Sequence, residues 1–242
     1  IRDRLNTMTI LEVNGLKKIY STRFGGNKVE ALKNVNFSVE QGEYVAIMGE
    51  SGSGKTTLLN ILAALDKPTE GNVILDGNNL SKLKESQISA FRRDNLGFVF
   101  QDFNLIHTLT VGENIILPLT LEGIHVPEIK KRTEEVAKML GIEQLLSKRI
   151  FEISGGQAQR TAVARAVVTN PSLLLADEPT GNLDSASSRE IMEILKGMHR
   201  SGETLILITH DNGIAAQAKR VVRIMDGKIE SDMINEEFIE EA

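Results

Sequence analysis

The residues best suited to chemistry form a glycine-rich run at positions 49–56, with the sequence GESGSGKT. The run matches the phosphate-loop pattern G-x-x-x-x-G-K-[ST] at every fixed position. Glycines let backbone N–H groups curl around phosphate oxygens, and a helix starting near Lys55 adds the positive end of its dipole. The Lys55 ammonium suits the β- and γ-phosphates of a nucleotide, and the Thr56 hydroxyl suits Mg²⁺. The predicted nucleotide contacts are Gly49, Ser51, Gly52, Ser53, Gly54, Lys55, Thr56 and Thr57.

The alternative for this run is a chance turn rich in glycine and serine. An apolar segment at 44–48, typical of a strand buried on both faces, comes directly before it. Leucines at helical spacing follow it at 57–65. A strand before and a helix after are the context that a phosphate loop requires, so the sequence favours the functional interpretation.

Two carboxylates follow a second apolar segment, at Asp177 and Glu178 after residues 173–176. Asp177 is the candidate for holding Mg²⁺ through water, and Glu178 for positioning or deprotonating an attacking water. A solvated turn after a strand is the alternative, because acidic residues are common there. Parallel strands end on one edge of a sheet, which strengthens the catalytic interpretation beside Lys55 and Thr56.

A second glycine turn, Ser154 to Gln157, stands before an amphipathic helical pattern that includes Val163 and Val167. A Ser-Gly-Gly turn that opens a helix is suited to bind an anion. Ser154 is also a good helix N-cap. From these residues alone, a plain helix cap is the favoured interpretation.

Composition excludes several kinds of protein. The chain has 242 residues and no cysteine, so disulfides, thiolate metal sites and cysteine nucleophiles are excluded. The formal net charge of -5 argues against a surface that coats nucleic acid. No apolar run is long enough to span a bilayer, so we expect any membrane role to act through a partner.

The elements that position these residues alternate between short apolar strands and helices, which predicts a parallel sheet covered on both faces. From 101 to about 169 the pattern is mostly helical and predicts an inserted lobe. We expect a loop at 17–28, around Gly25 and Gly26, and a solvated helix end in the acidic C-terminal tail. The predicted strands are 10–16, 31–39, 44–48, 73–75, 97–100, 173–176, 204–209, 221–225 and 228–230, and the predicted helices 57–65, 86–93, 134–140, 158–168 and 187–198.

Residues 153–157 resemble the signature motif of ATP-binding-cassette (ABC) transporter subunits, with Ile153 where leucine is usual. The other motifs of that family follow in its order: an adenine-stacking aromatic at Tyr20, the Q-loop glutamine at Gln101, a D-loop ending at Asp184 and a switch histidine at His210. The resemblance covers 10–229. It implies an α/β fold: a P-loop NTPase (RecA-like) core with a parallel sheet, an antiparallel β subdomain and an inserted α-helical subdomain.

The resemblance also implies an ATPase that uses ATP and Mg²⁺. Its catalytic residues would be Lys55, Gln101, Glu178 and His210, and its metal site Thr56, Gln101 and Asp177. Tyr20 would stack on the base, although a surface tyrosine at a strand end is the alternative. The resemblance implies that Ser154, Gly155, Gly156 and Gln157 contact the ATP that is bound by a second copy. It also implies a nucleotide contact at Asp184.

The expected partners are a second copy in a head-to-tail dimer and an integral membrane permease, with no nucleic acid. We therefore expect the chain at the cytoplasmic face of the membrane. The apolar residues Phe103, Leu105, Ile106 and Leu109 are either core or the groove that receives the permease. We expect an ATPase domain at 8–230, with its helical subdomain at about 101–169. We expect residues 1–7 to lie upstream of a native start at Met8, and 231–242 to form the acidic tail.

Within the family, the motifs resemble the macrolide-export and lipoprotein-release group. Residues 101–105, 109–115 and 154–161 lean towards bacitracin-type resistance transporters of antimicrobial peptides. This implies export or membrane release of a substrate. The alternatives are a force-transmitting cassette of the cell-division or lipoprotein-release type, or a soluble cassette acting on ribosomes or DNA. Soluble proteins of this family usually contain two ATPase cassettes or a long coiled-coil insertion, and this chain has neither.

Overall fold

The computed structural model describes residues 8–21, 28–236 and 238. Its strands are β1 (Thr9–Ser21), β2 (Lys28–Glu40), β3 (Tyr44–Met48), β4 (Glu70–Leu75), β5 (Asn78–Asn79), β6 (Leu96–Val99), β7 (Leu173–Asp177), β8 (Leu205–Thr209), β9 (Arg220–Met225) and β10 (Lys228–Ile234). Its helices are α1 (Lys55–Leu62), α2 (Glu85–Asn95), α3 (Val111–Glu122), α4 (Val126–Met139), α5 (Gly155–Val167), α6 (Ser185–Arg200) and α7 (Asn212–Ala215). Short 3₁₀ turns lie at Leu80–Lys82, Glu143–Leu145 and Ile150–Glu152.

The chain divides into two compact units. The first comprises Ile1–Ile88 and Gly202–Ala242, and the second Ser89–Ser201. Helix α2 crosses the division between them.

The first unit contains two groups of paired strands. One is antiparallel, in the order β2-β1-β4-β5. In the other, β3 pairs in parallel with both β8 and β9, and β10 pairs antiparallel with β9. Every residue of β3 and β8 is buried, as expected for short strands rich in valine, isoleucine and leucine. Helix α1 buries Leu58, Leu59, Ile61 and Leu62.

The second unit pairs β6 with β7 in parallel. Helix α5 is its centre, because it contacts β6, α3, α4 and α6. Four of the buried residues of α5 are alanines, whose small side chains allow close packing: Ala158, Ala162, Ala164 and Ala166.

The predicted loop at 17–28 is wrong at both ends. Strand β1 continues to Ser21, which pairs with Lys28 of β2. Side chains there are mostly polar, so no alternation marks the strand, although the cross-strand backbone pairing forms. The middle of the predicted loop, which contains Gly25 and Gly26, lies outside the described residues.

The C-terminal strand is longer than predicted, because β10 runs to Ile234 and not to Glu230. Glu236 lies in a turn. The other acidic residues of the predicted tail, Glu237, Glu240 and Glu241, lie outside the described residues, as do residues 1–7. In the described part of the chain, no helix combines the length and the apolar character needed to cross a bilayer.

Candidate phosphate and nucleotide site

The glycine-rich loop follows β3 directly and leads into α1. Gly54 adopts φ 108°, a conformation that favours glycine, and a Cβ there would lie 2.6 Å from the Ala31 carbonyl oxygen. A Cβ on Gly49 would lie 2.3 Å from the Ile224 carbonyl oxygen. The loop is therefore packed against its own unit by backbone contacts that exclude larger residues.

This loop has the features of a phosphate cradle. The Ser53 hydroxyl oxygen is buried and has no hydrogen-bond partner among the described residues. Helix α1 has no capping side chain and no acidic residue in its first turn, so the helix itself supplies no counter-charge to its first N–H groups and the positive end of its dipole. These features fit an anionic phosphate group.

Lys55 is buried within the phosphate loop. Its Nζ donates hydrogen bonds to the carbonyl oxygens of Gly49 at 2.6 Å and Glu50 at 2.8 Å. An ammonium has three donors, so a third remains for a phosphate oxygen. Thr56 is exposed in the first turn of α1, and Thr57 beside it is half-buried.

His210 lies at the same end of the parallel strands as the phosphate loop. In the parallel pair β3·β8, Met48 is in register with Thr209, so Gly49 and His210 are the next residue on each strand. His210 is exposed. The first unit thus brings the predicted histidine beside the predicted phosphate loop.

Tyr20 lies near the end of β1 and is 42% exposed. Its hydroxyl donates a hydrogen bond to Asp66 Oδ2 at 2.9 Å. The Lys18 Nζ lies 4.9 Å from the centre of its ring.

In the second unit, polar residues follow the ends of the two paired strands. Val99 of β6 is in register with Ala176 of β7, so Gln101 and Glu178 each come two residues later, just beyond the ends of these neighbouring parallel strands. Asp177 ends β7 and is half-buried. Glu178 adopts φ 45°, a left-handed conformation that turns the chain sharply after the strand.

The predicted D-loop contacts the segment of Gln101. Asn182 Nδ2 donates hydrogen bonds to Asp102 Oδ1 at 2.7 Å and to the Gln101 carbonyl at 3.2 Å. Asp184 caps α6, because its Oδ1 accepts from the backbone N–H groups of Ala186 and Ser187. The backbone N–H and then the hydroxyl of Ser187 hold the pKa of the Asp184 carboxyl below its ordinary value.

The second glycine turn caps α5 with a reciprocal pair of hydrogen bonds. Ser154 Oγ accepts from Gln157 N at 3.3 Å, and Gln157 Oε1 accepts from Ser154 N at 2.9 Å. Gly155 is exposed, and a Cβ there would lie 3.7 Å from Leu183 of the D-loop. This unit therefore brings together the predicted signature and D-loop.

Three polar side chains, of which Gln159 and Asn114 are buried and Arg165 is half-buried, hold the segments after Gln101 and Glu178, and none of them was predicted from sequence. Gln159 Nε2 donates to the Pro179 carbonyl at 2.6 Å. Arg165 donates to the carbonyls of Asn104 at 2.6 Å and Phe103 at 2.9 Å. Asn114 donates to the Ile106 carbonyl and accepts from its N–H. The available signal was a polar residue on an otherwise apolar helix face.

The apolar residues of that segment divide between core and surface. Leu105 is buried, and Phe103 and Leu109 are half-buried. Ile106 is 41% exposed.

A phosphate cradle after a buried parallel strand, with a helix that starts at a lysine and a threonine, defines a P-loop nucleotide-binding protein. The chain belongs to the ABC transporter family, because the family model described as "ABC transporter" matches residues 32–181.

The names of curated relatives are consistent with membership of this family. The chain is 50% identical over 221 residues to the ABC transporter ATP-binding protein YxdL of Bacillus subtilis, covering 91% of this chain and 85% of that one. It is 44% identical to the bacitracin export ATP-binding protein BceA of Halalkalibacterium halodurans, covering 92% and 87%. It is 42% identical to the macrolide export ATP-binding/permease protein MacB of Hyphomonas neptunium, covering 96% of this chain and 36% of that longer protein.

Among solved structures, the chain resembles a dimeric post-hydrolysis state of the ATP-binding cassette MJ0796 bound to ADP and Pi. The TM-score is 0.86 and the identity 40%, over 95% of this chain and 100% of that chain. The predicted α/β P-loop fold and the predicted macrolide- and bacitracin-type group are confirmed. The chain is an ATP-binding subunit of an ABC transporter and an ATPase, as the sequence predicted.

Proposed function

We propose that this chain hydrolyses ATP as one half of a head-to-tail dimer and that the dimer drives a separate membrane permease from the cytoplasmic face. The observation that carries the proposal is the presence, in one chain, of two glycine turns that each open a helix and so suit an anion. One opens α1 in the first unit, and the other opens α5 in the second. Two such turns in different units of one chain suit a nucleotide site in which one copy supplies the first turn and a second copy supplies the other.

On the phosphate-loop side, Lys55 and the N–H groups from Gly49 to Thr57 bind the triphosphate. Thr56, Asp177 and Gln101 are the residues that would hold Mg²⁺, directly or through water. When bound, the ion neutralises charge on the β- and γ-phosphates. Tyr20 stacks on the base.

Hydrolysis uses Glu178 as the group that accepts a proton from the attacking water. The water oxygen forms a bond to the γ-phosphorus, and the bond from that phosphorus to the β–γ bridging oxygen breaks, which releases ADP and phosphate. Gln101 and His210 position the water and the γ-phosphate. The placement of Gln101 and Glu178 just beyond the ends of two paired strands supports this division of roles.

The second copy supplies Ser154 to Gln157 to the γ-phosphate, and Asp184 to the same interface. The exposure of Gly155 at the start of a capped helix supports this placement. The dimeric cassette MJ0796 is a further support.

ATP would bind the closed dimer more tightly than the open one, so hydrolysis shifts the population back towards separation. The permease would receive this motion through the second unit, and the exposed Ile106 is a candidate contact. Relatives named for bacitracin export and macrolide export support an antibiotic or antimicrobial peptide as cargo. They favour export over a purely force-transmitting cassette.

The test is the variant Glu178→Gln, which keeps the size of the side chain but cannot accept a proton as a carboxylate does. We expect ATPase activity to fall about 100-fold or more. We also expect an ATP-dependent dimer to accumulate on gel filtration, because closure without hydrolysis traps it.

The matched control is Glu135→Gln, which makes the same change of charge on the exposed face of α4 in the same unit. It should behave as the wild type in both assays. Normal ATPase activity in the Glu178 variant would show that the assignment of the base is wrong.

A further inference from the structure

The end of β1 that carries Tyr20 is fixed to the segment after α1. The Ile19 N–H donates to Thr69 Oγ1 at 3.0 Å, and the Thr69 N–H donates to the Lys17 carbonyl at 2.8 Å. These bonds lie on both sides of Lys18. The backbone that presents Tyr20 is therefore positioned before any ligand arrives.

Asp66 joins three groups at this place. Its Oδ2 accepts from the Tyr20 hydroxyl at 2.9 Å, and its Oδ1 accepts from the Lys18 ammonium at 2.7 Å. The Lys67 N–H also donates to Oδ1, at 2.7 Å. The carboxylate thus fixes the tip of the tyrosine and the ammonium together.

Lys18 lies against one face of the Tyr20 ring, with its Nζ 4.9 Å from the ring centre. Its side chain is only 13% exposed, and it also donates to the Lys67 carbonyl at 2.8 Å. Tyr20 itself is 42% exposed. Because Lys18 is mostly buried whereas Tyr20 is exposed, Tyr20 has surface outside the Lys18 contact that solvent can reach.

We infer that Lys18 and Asp66 are positioning residues, which hold the Tyr20 ring as a ready-made platform for the base of the nucleotide. This rests on the proposed role of Tyr20. The base would stack on the outer face of a ring whose inner face carries a cation, giving the order ammonium, tyrosine, base. Because the hydroxyl is already bonded to Asp66, little side-chain freedom remains to be lost on binding.

The experiment compares a ligand that has a base with one that has none. Binding of ADP and of inorganic tripolyphosphate, each with Mg²⁺, is measured by titration calorimetry on the whole chain. Tyr20→Ala should weaken ADP about tenfold or more, the scale of one lost stacking interaction. Tyr20→Phe, Asp66→Asn and Lys18→Met should each weaken ADP about two- to tenfold, the scale of releasing one side chain. None of these changes should alter the affinity for tripolyphosphate.

A matched control is Lys17→Met. Lys17 is the neighbouring lysine of β1 and makes an ion pair of the same 2.7 Å length, with Glu70 and away from the ring. The Lys17→Met substitution should leave the affinity for both ligands unchanged. In a Tyr20→Ala background, Asp66→Asn and Lys18→Met should have no further effect, because they act through the ring.

The inference is overturned if Asp66→Asn or Lys18→Met weakens tripolyphosphate as much as ADP, or if either remains effective without the ring. It is also overturned if Tyr20→Phe and Asp66→Asn both bind ADP like the wild type. Tyr20→Phe changes one exposed hydroxyl, so it remains informative even if Asp66→Asn disturbs folding. A wild-type chain that binds neither ligand would instead refute the proposed nucleotide site.

Discussion

Gly155 and Gly156 are adjacent in the second glycine turn but have different surroundings. A Cβ on Gly156 would lie 2.7 Å from Ser187 Oγ and 3.0 Å from Ser187 Cβ, on α6. A Cβ on Gly155 would meet nothing closer than 3.7 Å. Gly156 is therefore required where α5 approaches α6, whereas the space beside Gly155 would admit a methyl group.

We expect Gly156→Ala to lower the free energy of unfolding by about 1–3 kcal/mol, because the added methyl group overpacks the contact with Ser187. Gly155→Ala should change it by less than about 0.5 kcal/mol, since its methyl group meets no close neighbour. Urea denaturation of both variants measures the difference. Equal losses in the two variants would contradict this packing explanation.

Helix α5 connects several parts of the second unit. It begins at the Ser154 cap, and its buried Gln159 bonds to the carbonyl of Pro179. Further along, Arg165 bonds to the carbonyls of Phe103 and Asn104, both of which have positive φ, 61° and 49°. Burial lowers the pKa of the Arg165 guanidinium. The helix thus supports a strained segment that starts two residues after Gln101.

Arg165→Met should release that segment. Two carbonyls lose their charged donor, at a total cost of about 1–3 kcal/mol, because the bond to Asn104 is exposed and water can replace it. If this segment positions Gln101, kcat for ATP should fall while KM changes little, because the phosphate loop belongs to the other unit.

The measurement is a steady-state ATPase titration, with Arg189→Met as a control for the loss of one exposed arginine from α6. A rise in KM with unchanged kcat would contradict the proposed link from α5 to Gln101.

At the scale of the whole molecule, the proposed site needs one surface from each of two copies. A twofold dimer of this kind contains two equivalent sites. Each site uses the phosphate loop of one chain and the Ser154 to Gln157 turn of the other. Damage to one surface therefore removes both sites from a uniform dimer, but only one site from a mixed dimer.

We expect Lys55→Ala and Gly155→Asp each to lose ATPase activity about 100-fold or more. The first removes the positive charge on the phosphates. The second places a carboxylate against the partner's γ-phosphate while suiting the first turn of a helix, so folding should be preserved. A 1:1 mixture should recover about a quarter of wild-type activity, because half the dimers are mixed and each keeps one intact site.

The recovery is measured by phosphate release at a protein concentration where the wild type is fully active. A mixture that stays as inactive as its components would argue against a site shared between copies.

The sequence by itself determined the chemistry and the class of fold. Residues 49–56 and Asp177 with Glu178 are local patterns whose meaning depends on residue type and spacing, so they were visible without a structure. The turn from Ser154 to Gln157 indicated by itself only a helix cap, and its nucleotide contact was predicted from the resemblance to the family. Buried strands such as β3 and β8 were visible for the same reason, because an unbroken apolar run reflects burial on both faces.

The tertiary structure alone decided which residues support the site. The roles of Arg165 and Gln159 depend on carbonyl groups 61 and 20 positions away in sequence, and no local pattern encodes such a partner. The polar end of β1 was predicted as a loop, because its pairing is made by backbone groups that every residue carries. The bond of Asp66 to Tyr20 likewise spans 46 positions, so only folding brings the two together.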